Sequence, residues 1–237
     1  MIGTLVNTGT VLAGSLAGLA LRRLIRKPSA GESPVQRIVT QGIGLFTLVL
    51  GVKMGLETKQ FVVVVLSIVL GGVCGQLIGI EEALERLAER LKRLTASTEG
   101  TFVAGFVTAS VLFCVGPMTI LGSVQDGLQH NPNLLFIKSI MDGASAVILT
   151  SALGIGVIFS AATVLIVQGL LTLLAGRLQF LIEARYLAEF TAVGGIIILG
   201  IGIRLLGLKD IKAANFLPAL VFVVLIMFIA LRLNWVR

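Results

Sequence analysis

The stretch FCVGPMTILGSVQDG, residues 113–127, lies inside a long apolar segment, yet it contains a Gly-Pro pair and ends with an aspartate and a glycine. Pro117 has no N–H group, and its ring clashes with the carbonyl of the residue four positions earlier, which is Phe113. Gly116 adds freedom to the backbone at the same place. We therefore predict a helix that is kinked here, with the Phe113 carbonyl released from the helical hydrogen bonds.

The composition indicates that the medium around this kinked helix is lipid. The chain has 237 residues, of which 56% are hydrophobic and 13% are charged, whereas soluble domains carry about 25% charged residues. Its mean hydropathy is +1.03. Repeated apolar runs reach the roughly 20 residues that a helix needs to cross a hydrocarbon core. The sequence therefore predicts an all-α, polytopic transmembrane bundle that forms a single domain over residues 1–237.

Eight apolar segments are long enough to cross a bilayer. The stretch 134–181 is too long for one crossing, so we place a turn between Gly154 and Thr163; with that turn misplaced, seven spans would remain. The predicted spans are 2–21, 38–56, 61–80, 102–124, 137–158, 160–181, 188–206 and 216–233.

Lysine and arginine are concentrated in the loops after the first, third and seventh spans. Because such loops remain in the cytoplasm, both termini are predicted to lie outside, on the periplasmic face. The net charge of +7 is explained by this orientation, and nucleic acid is not expected as a partner.

The few reactive side chains argue against catalysis and metal binding. Cys74 and Cys114 both lie in apolar segments, and His130 is the only histidine, so we expect no disulfide framework, no metal site and no cofactor. The chain also has no motif of an intramembrane protease or of a nucleotide hydrolase. We therefore expect that the protein is not an enzyme.

Residues 81–97 depart from the pattern of apolar spans. Four leucines recur at helical spacing over residues 84–94, and the charged residues between them pair at i,i+4. This pattern predicts an amphipathic helix on the cytoplasmic face or at the membrane interface. The helix either continues the third span past the bilayer or docks a partner through residues 81–94.

A faint internal repeat links two of the spans. The segment GLFTLVLGVK at 44–53 aligns without gaps on GIIILGIGIR at 195–204. Spans two and seven run in opposite directions, so an ancestral duplication would be an inverted repeat that relates spans one to three to spans six to eight. Secondary transporters often have this plan.

GxxxG pairs such as Gly14/Gly18 favour close helix packing. We also expect a homo-oligomer, by default a dimer.

Polar side chains at membrane depth are costly, so each is a candidate for binding a solute or an ion. Lys138 lies within about two turns of a span end and is expected to reach the headgroups by snorkelling. The candidates are the polar side chains of Asn7, Ser123, Asp126, Asp142, Ser145, Gln168 and Glu189, together with the backbone break at Gly116, Pro117 and Met118.

The two aspartates are the strongest of these candidates. Asp126 closes span four and Asp142 opens span five, so a hairpin would place both carboxylates at a similar outer depth. Beside a kinked helix they could hold a cation or relay a proton. Alternatively, Asp126 caps a helix end in water and Asp142 pairs with Lys138. Glu189 has two interpretations as well, a site residue or a charge that complements a helix N-terminus.

Four stretches, GTLVNTGTVLAGSLAGL, FCVGPMTILGSVQDGL, KSIMDGASAVILTSALGIGV and AVGGIIILGIGIRLLGLKDIKAANFLPAL, resemble one bacterial family in their order and spacing. This is the family designated domain of unknown function 554, also called YqgA-like or YdfK-like. The resemblance covers essentially the whole chain, although Pro117 departs from the expected pattern. It implies a location in the bacterial inner membrane and a role as a candidate transporter or uncharacterised membrane protein, without a substrate or site residues.

These observations lead to one preferred function and one alternative. We expect a secondary transporter or channel-like carrier of a small, cationic solute in the lipid bilayer, with spans four and five lining the path and Asp142 as the leading site residue. The alternative is a structural or regulatory membrane protein that does not transport and that docks a partner through residues 81–94.

Overall fold

A computed structural model describes residues 1–25, 34–233 and 235 of the chain. Within these residues the structure has eleven α-helices and no β-strand. The helices are α1 Ile2–Ile25, α2 Pro34–Gly55, α3 Phe61–Ile78, α4 Ile80–Leu94, α5 Phe102–Cys114, α6 Pro117–Gln129, α7 Asn133–Leu153, α8 Ser160–Leu173, α9 Ala175–Leu178, α10 Ala184–Leu205 and α11 Ala219–Arg232.

The predicted all-α polytopic membrane fold is confirmed. Seven helical segments of the described chain are long and apolar enough to cross a membrane, and a bent pair of helices forms an eighth. The seven are α1, α2, α3, α7, α10, and the two segments in which a 3₁₀ turn leads into α8 and α11.

The bent pair, α5 and α6, is one broken span that crosses the whole bundle. The two helices meet at an angle of 59°. At its far end, α6 reaches the start of α1, where the Gly3 N–H donates to Asp126. Just before α5 begins, Glu99 forms an ion pair with Arg22 near the other end of α1. Nineteen residue steps of helix separate Gly3 from Arg22, which is about 28 Å at ~1.5 Å per residue, so the pair crosses rather than re-enters.

Helices α1 and α7 run parallel and touch through their backbones. A Cβ atom added to Gly14 would lie 2.2 Å from the carbonyl oxygen of Gly143, and one added to Gly18 would lie 2.5 Å from that of Val147. From the first contact to the second, each helix advances by four residues, which is about one helical turn. Small residues are therefore required at this interface, because helices in lipid associate through close van der Waals packing.

Helices α2 and α10 pack antiparallel on the other side of the bundle. A Cβ atom on Gly51 would lie 2.7 Å from the Gly195 carbonyl oxygen, and a Cβ atom on Gly195 would lie 2.7 Å from the Gly51 carbonyl oxygen. Gly75 on α3 approaches Asn215, which lies in the 3₁₀ turn before α11. The apolar core between these helices contains buried residues such as Val193 and Met227.

The turn after span five lies at Gly154, the first residue of the predicted window from Gly154 to Thr163. We expected span five to extend to residue 158, but α7 ends at Leu153 and Gly154 adopts a positive φ of 87°. The Gly154 N–H still bonds Thr150, whereas the Ile155 N–H donates to the Glu99 carboxylate. Because glycine enters this conformation without steric cost, the chain reverses here, and the 3₁₀ turn Ile155–Phe159 already belongs to span six.

Helix α4 lies against the end of the bundle where α10 finishes. Arg204 contacts the buried carboxylate of Glu81, and Lys212 forms an ion pair with Glu82 at 2.5 Å. The hydrogen bond from Lys212 lowers the pKa of Glu82 and, by the same contact, raises the pKa of Lys212. Of the four predicted apolar positions, Leu84 and Leu91 pack against the core, whereas Leu87 and Leu94 are exposed.

The glycine contacts of α1 can be tested with a matched pair of substitutions. Gly14→Ala forces a methyl group into the Gly143 carbonyl, and we expect it to lower the free energy of unfolding by about 1–3 kcal/mol. Gly9→Ala is the control on the same helix, because nothing lies within 4 Å of its added Cβ atom. Unfolding of the purified variants in mixed detergent micelles gives both values. Equal losses for the two variants would contradict the proposed α1–α7 packing.

Candidate functional site at the broken fourth span

The break in span four releases one backbone carbonyl, and two side chains bind it. Helix α5 ends at Cys114, Gly116 is extended with φ −150° and ψ 151°, and Pro117 is the first residue of α6. The Phe113 carbonyl accepts hydrogen bonds from the Thr119 hydroxyl at 3.2 Å and from the Lys138 ammonium at 2.9 Å. The predicted kink and the released carbonyl are therefore both observed, and protein groups satisfy the carbonyl.

Lys138 lies in the protein interior and does not extend to the headgroups. Its residue exposure is only 6%, and its ammonium contacts both the Phe113 carbonyl and the Asp142 carboxylate. The prediction that Lys138 snorkels to water is wrong. The ammonium stays inside because the bent helix provides an acceptor and the next turn of α7 provides a negative charge, which together replace its hydration.

Asp142 joins three spans through this ion pair. It is 9% exposed, its carboxylate contacts Lys138 on the same helix, and it accepts a hydrogen bond from the Asn7 side-chain amide of α1 at 2.9 Å. Lys138 in turn reaches the broken span. The cluster of Asn7, Lys138 and Asp142, called the ion-pair site below, therefore connects α1, α7 and the end of α5.

Asp126 belongs to a different ion pair, which lies at the N-terminal end of α1. It is buried at 2% exposure and accepts from the Gly3 N–H at 3.1 Å and from the Met1 ammonium at 3.0 Å. It therefore does not cap a helix end in water. Four residues separate Gly3 from Asn7, or about 6 Å along a helix axis, so Asp126 and Asp142 bind α1 at two levels and do not share one site.

Three fully buried polar side chains carry atoms that have no hydrogen-bond partner. Gln168 on α8 is 0% exposed, and neither its amide nitrogen nor its amide oxygen is paired. The Ser123 hydroxyl on α6 and the side-chain oxygen of Asn7 are likewise unpaired. Leaving such a group unpaired costs about 1–3 kcal/mol, so this concentration of unpaired groups calls for an explanation beyond packing.

The remaining predicted site residues lie around this centre or away from it. Gly116 and Met118 are half-buried beside the break. Ser145 lies one turn along α7 from Asp142 and lines a crevice of about 290 Å³ together with Thr47 of α2 and Leu112 of α5. That crevice is mostly apolar in its lining.

Glu189 binds the loop between α2 and α3. Its buried carboxylate accepts hydrogen bonds from the Thr58 hydroxyl at 2.5 Å and from the Lys59 N–H at 2.8 Å. Both partners belong to the loop, so the carboxylate holds the loop against α10. Neither of these hydrogen bonds connects Glu189 to the ion-pair site.

Three polar residues of this region did not stand out in the sequence. Thr119 binds the released carbonyl, and Thr4 of α1 hydrogen-bonds Thr172 of α8 at 3.2 Å. A signal was present, because Thr4 lies three residues before Asn7 and Thr172 lies four residues after Gln168. Each pair shares one helix face, and a search for polar residues at helical spacing would have found both faces.

The fold and the buried ion-pair site define a polytopic α-helical membrane protein in which some charged side chains lie between the spans. Residues 2–228 match the family described as "Protein of unknown function (DUF554)", and the chain belongs to this family. The resemblance seen in the sequence is thereby confirmed. No solved structure matches the chain.

Two curated relatives are similar over nearly their full lengths. The chain is 29% identical to "Uncharacterized membrane protein YdfK" of Bacillus subtilis over 233 residues, which cover 97% of this chain and 96% of the relative. It is 28% identical to "Uncharacterized protein YqgA" of Escherichia coli over 225 residues, which cover 93% of each chain.

The energetic role of the ion pair can be tested by removing one charge or both. Lys138→Met leaves the Asp142 carboxylate uncompensated in an apolar interior, and we expect a loss of about 3–5 kcal/mol in the free energy of unfolding. The double variant Lys138→Met/Asp142→Leu removes both charges and should lose less than the single variant. Unfolding in mixed detergent micelles measures both. A double variant that is less stable than Lys138→Met would show that the two side chains do not act as a pair.

Proposed function

We propose that the protein is a secondary transporter or channel-like carrier of a small cationic solute, with spans four and five lining the path. The observation that supports this most directly is a buried ion pair on α7 that contacts the break in a neighbouring membrane-spanning helix. Charged side chains and broken helical backbone are both costly in lipid. They recur together where transporters bind substrates and ions, because interrupted helices offer free backbone groups at membrane depth.

The ion-pair site suggests how a cationic solute would bind. The Lys138 ammonium lies between a carbonyl oxygen at the C-terminal end of α5 and the Asp142 carboxylate. The negative end of a helix dipole and a carboxylate together attract a positive charge. An incoming cation would therefore compete with Lys138 for the same acceptors. In this mechanism Lys138 is a tethered cation that occupies the site when solute is absent, which keeps the site electrically balanced throughout the cycle.

The packing of α2 against α10 supports the proposed inverted repeat. The aligned segments pair Gly44 with Gly195, Leu48 with Leu199, and Gly51 with Gly202. The close approach of Gly51 to Leu199 is matched by that of Gly202 to Leu48. Likewise, the approach of Gly51 to Gly195 is matched by that of Gly44 to Gly202.

In both cases the equivalent residues of the two segments make the same contact in reverse. A two-fold axis between two segments produces such reciprocal contacts. The pattern fits a duplication in which the two copies have opposite orientations in the membrane. In transporters with this plan, the two repeats alternate in their exposure of a central site to either side. We infer that a two-fold axis passes through the α2–α10 contact and relates spans one to three to spans six to eight.

Transport can be tested with purified protein in proteoliposomes. Charge movement on a solid-supported membrane is recorded after concentration jumps of sodium, potassium, methylammonium and ethanolamine. We expect a saturable current for at least one of these cations. Asp142→Asn should abolish this current, because the neutral amide no longer attracts the solute cation.

The matched control is Glu183→Gln, which removes an exposed carboxylate that pairs only locally with Arg185. Its current should equal that of the unaltered protein, and both variants should elute as folded protein in gel filtration. A current of normal size in Asp142→Asn would contradict the role of Asp142. Absence of current for all four cations in the unaltered protein would contradict transport of a small cation.

The alternative function, docking of a partner without transport, has a different requirement. The α4 residues Leu84 and Leu91 are engaged by the bundle itself, so a partner would bind the exposed charged face that includes Arg86, Glu89 and Arg93. Reversing charges on this face should then impair function more than Asp142→Asn does. The transporter proposal makes the opposite prediction for the current.

A further inference from the structure

Three contacts fix α1, α6 and α8 at one level near the outer end of the bundle. The Thr4 hydroxyl bonds the Thr172 hydroxyl at 3.2 Å, which joins α1 to α8. A Cβ atom on Gly127 would lie 2.4 Å from the Thr172 carbonyl oxygen, which places α6 against α8. The bond from the Gly3 N–H to Asp126 joins α1 to α6. The three helices therefore meet at a shared height.

One turn deeper, each of these helices carries a fully buried polar side chain with an unpaired atom. Asn7 follows Thr4 by three residues on α1. Gln168 precedes Thr172 by four residues on α8, and Ser123 precedes Gly127 by four on α6. Because α1 runs inward while α6 and α8 run outward, all three steps lead in the same direction. The unpaired atoms are Asn7 Oδ1, Ser123 Oγ, and Gln168 Oε1 and Nε2.

These four atoms set a chemical requirement on whatever binds among them. The Gln168 amide nitrogen only donates hydrogen bonds, its oxygen and that of Asn7 only accept, and the Ser123 hydroxyl can do either. A bare metal cation can use the oxygens but is repelled by the amide N–H groups. A hydroxyl group both donates and accepts, so it can pair with every one of these atoms in turn. The site therefore favours a hydroxyl-like group over a metal ion.

Asn7 connects these atoms to the ion-pair site. Its amide nitrogen donates to Asp142, while the oxygen of the same amide is one of the unpaired atoms. The two sites therefore share the amide group of one side chain. A ligand that placed a positive charge at Asp142 would have its neighbouring atoms close to Gln168 and Ser123.

We propose that Asn7, Ser123 and Gln168 form a second subsite, which binds a hydrogen-bonding group of the solute whose positive charge binds at Asp142. This inference rests on the proposed function and narrows its substrate class. The solute is a small organic ammonium compound with a hydroxyl or similar group a few bonds from its nitrogen. It is not an inorganic cation. Because all three side chains are 0% exposed, α1, α6 and α8 must separate for the solute to enter, and closure around it satisfies the unpaired atoms.

The test compares two amines of equal size in the purified full-length protein. Ethanolamine and propylamine both carry an ammonium group at neutral pH, but only ethanolamine has a hydroxyl group. Sodium chloride serves as the metal-cation probe. Binding is measured as the concentration dependence of the thermal unfolding temperature in detergent, since a ligand of the folded state raises it by mass action.

We expect the unaltered protein to bind ethanolamine about tenfold to a hundredfold more tightly than propylamine, because propylamine leaves buried polar groups unpaired. Gln168→Leu should fold, since it removes two unpaired buried atoms at similar volume. It should still bind amines but lose most of the preference for ethanolamine. Asp142→Asn should lose binding of both amines. Sodium chloride should not raise the unfolding temperature of the unaltered protein or of either variant beyond the general effect of salt.

The outcomes separate the two proposals. Equal binding of the two amines by the unaltered protein, or an unchanged preference in Gln168→Leu, would overturn the second subsite and leave the role of Asp142 intact. Binding of neither amine, or normal amine binding by Asp142→Asn, would overturn the ion-pair site as a cation site. Selective stabilisation by sodium would overturn the assignment to organic cations.

Discussion

The structure depends on the requirement that every backbone polar group inside a bilayer has a partner. Pro117 removes the normal partner of the Phe113 carbonyl, and Thr119 and Lys138 take its place. The Lys138 ammonium needs a negative charge in turn, which Asp142 provides. Asn7 then binds Asp142 from α1. One interruption of one helix thus determines a chain of polar contacts through three spans.

The glycine contacts determine which helices can take part in this series of polar contacts. Asn7 reaches Asp142 because α1 and α7 run parallel at very short distance, with Gly14 against Gly143 two turns further along α1. A larger residue there would separate the helices and pull the amide away from the carboxylate. The packing of small residues and the polar contacts are therefore mutually dependent. This relation explains why a membrane protein with few charged residues places several of them in its interior.

Some features of the site follow from local chemistry and could be predicted from the sequence. The kink at Pro117 and the i,i+4 spacing of Lys138 and Asp142 depend only on residues that are close along the chain. The depth of Lys138 could not be predicted, because it depends on a carbonyl 25 residues away that must be brought within reach by the fold. The partners of Asp126 could not be predicted for the same reason, since they lie at the start of α1, more than 120 residues away.

The sequence by itself determined the medium, the class of fold and the position of the broken helix, because hydropathy, span length and the chemistry of proline act locally. Only the tertiary structure decided which polar residues share a site. It separated Asp126 from Asp142 by about one helical turn on α1, and it brought Asn7, Ser123 and Gln168 to one level on three helices. Such placement depends on helix direction, rotation and register, which are set by the packing of glycine surfaces between segments far apart in the chain.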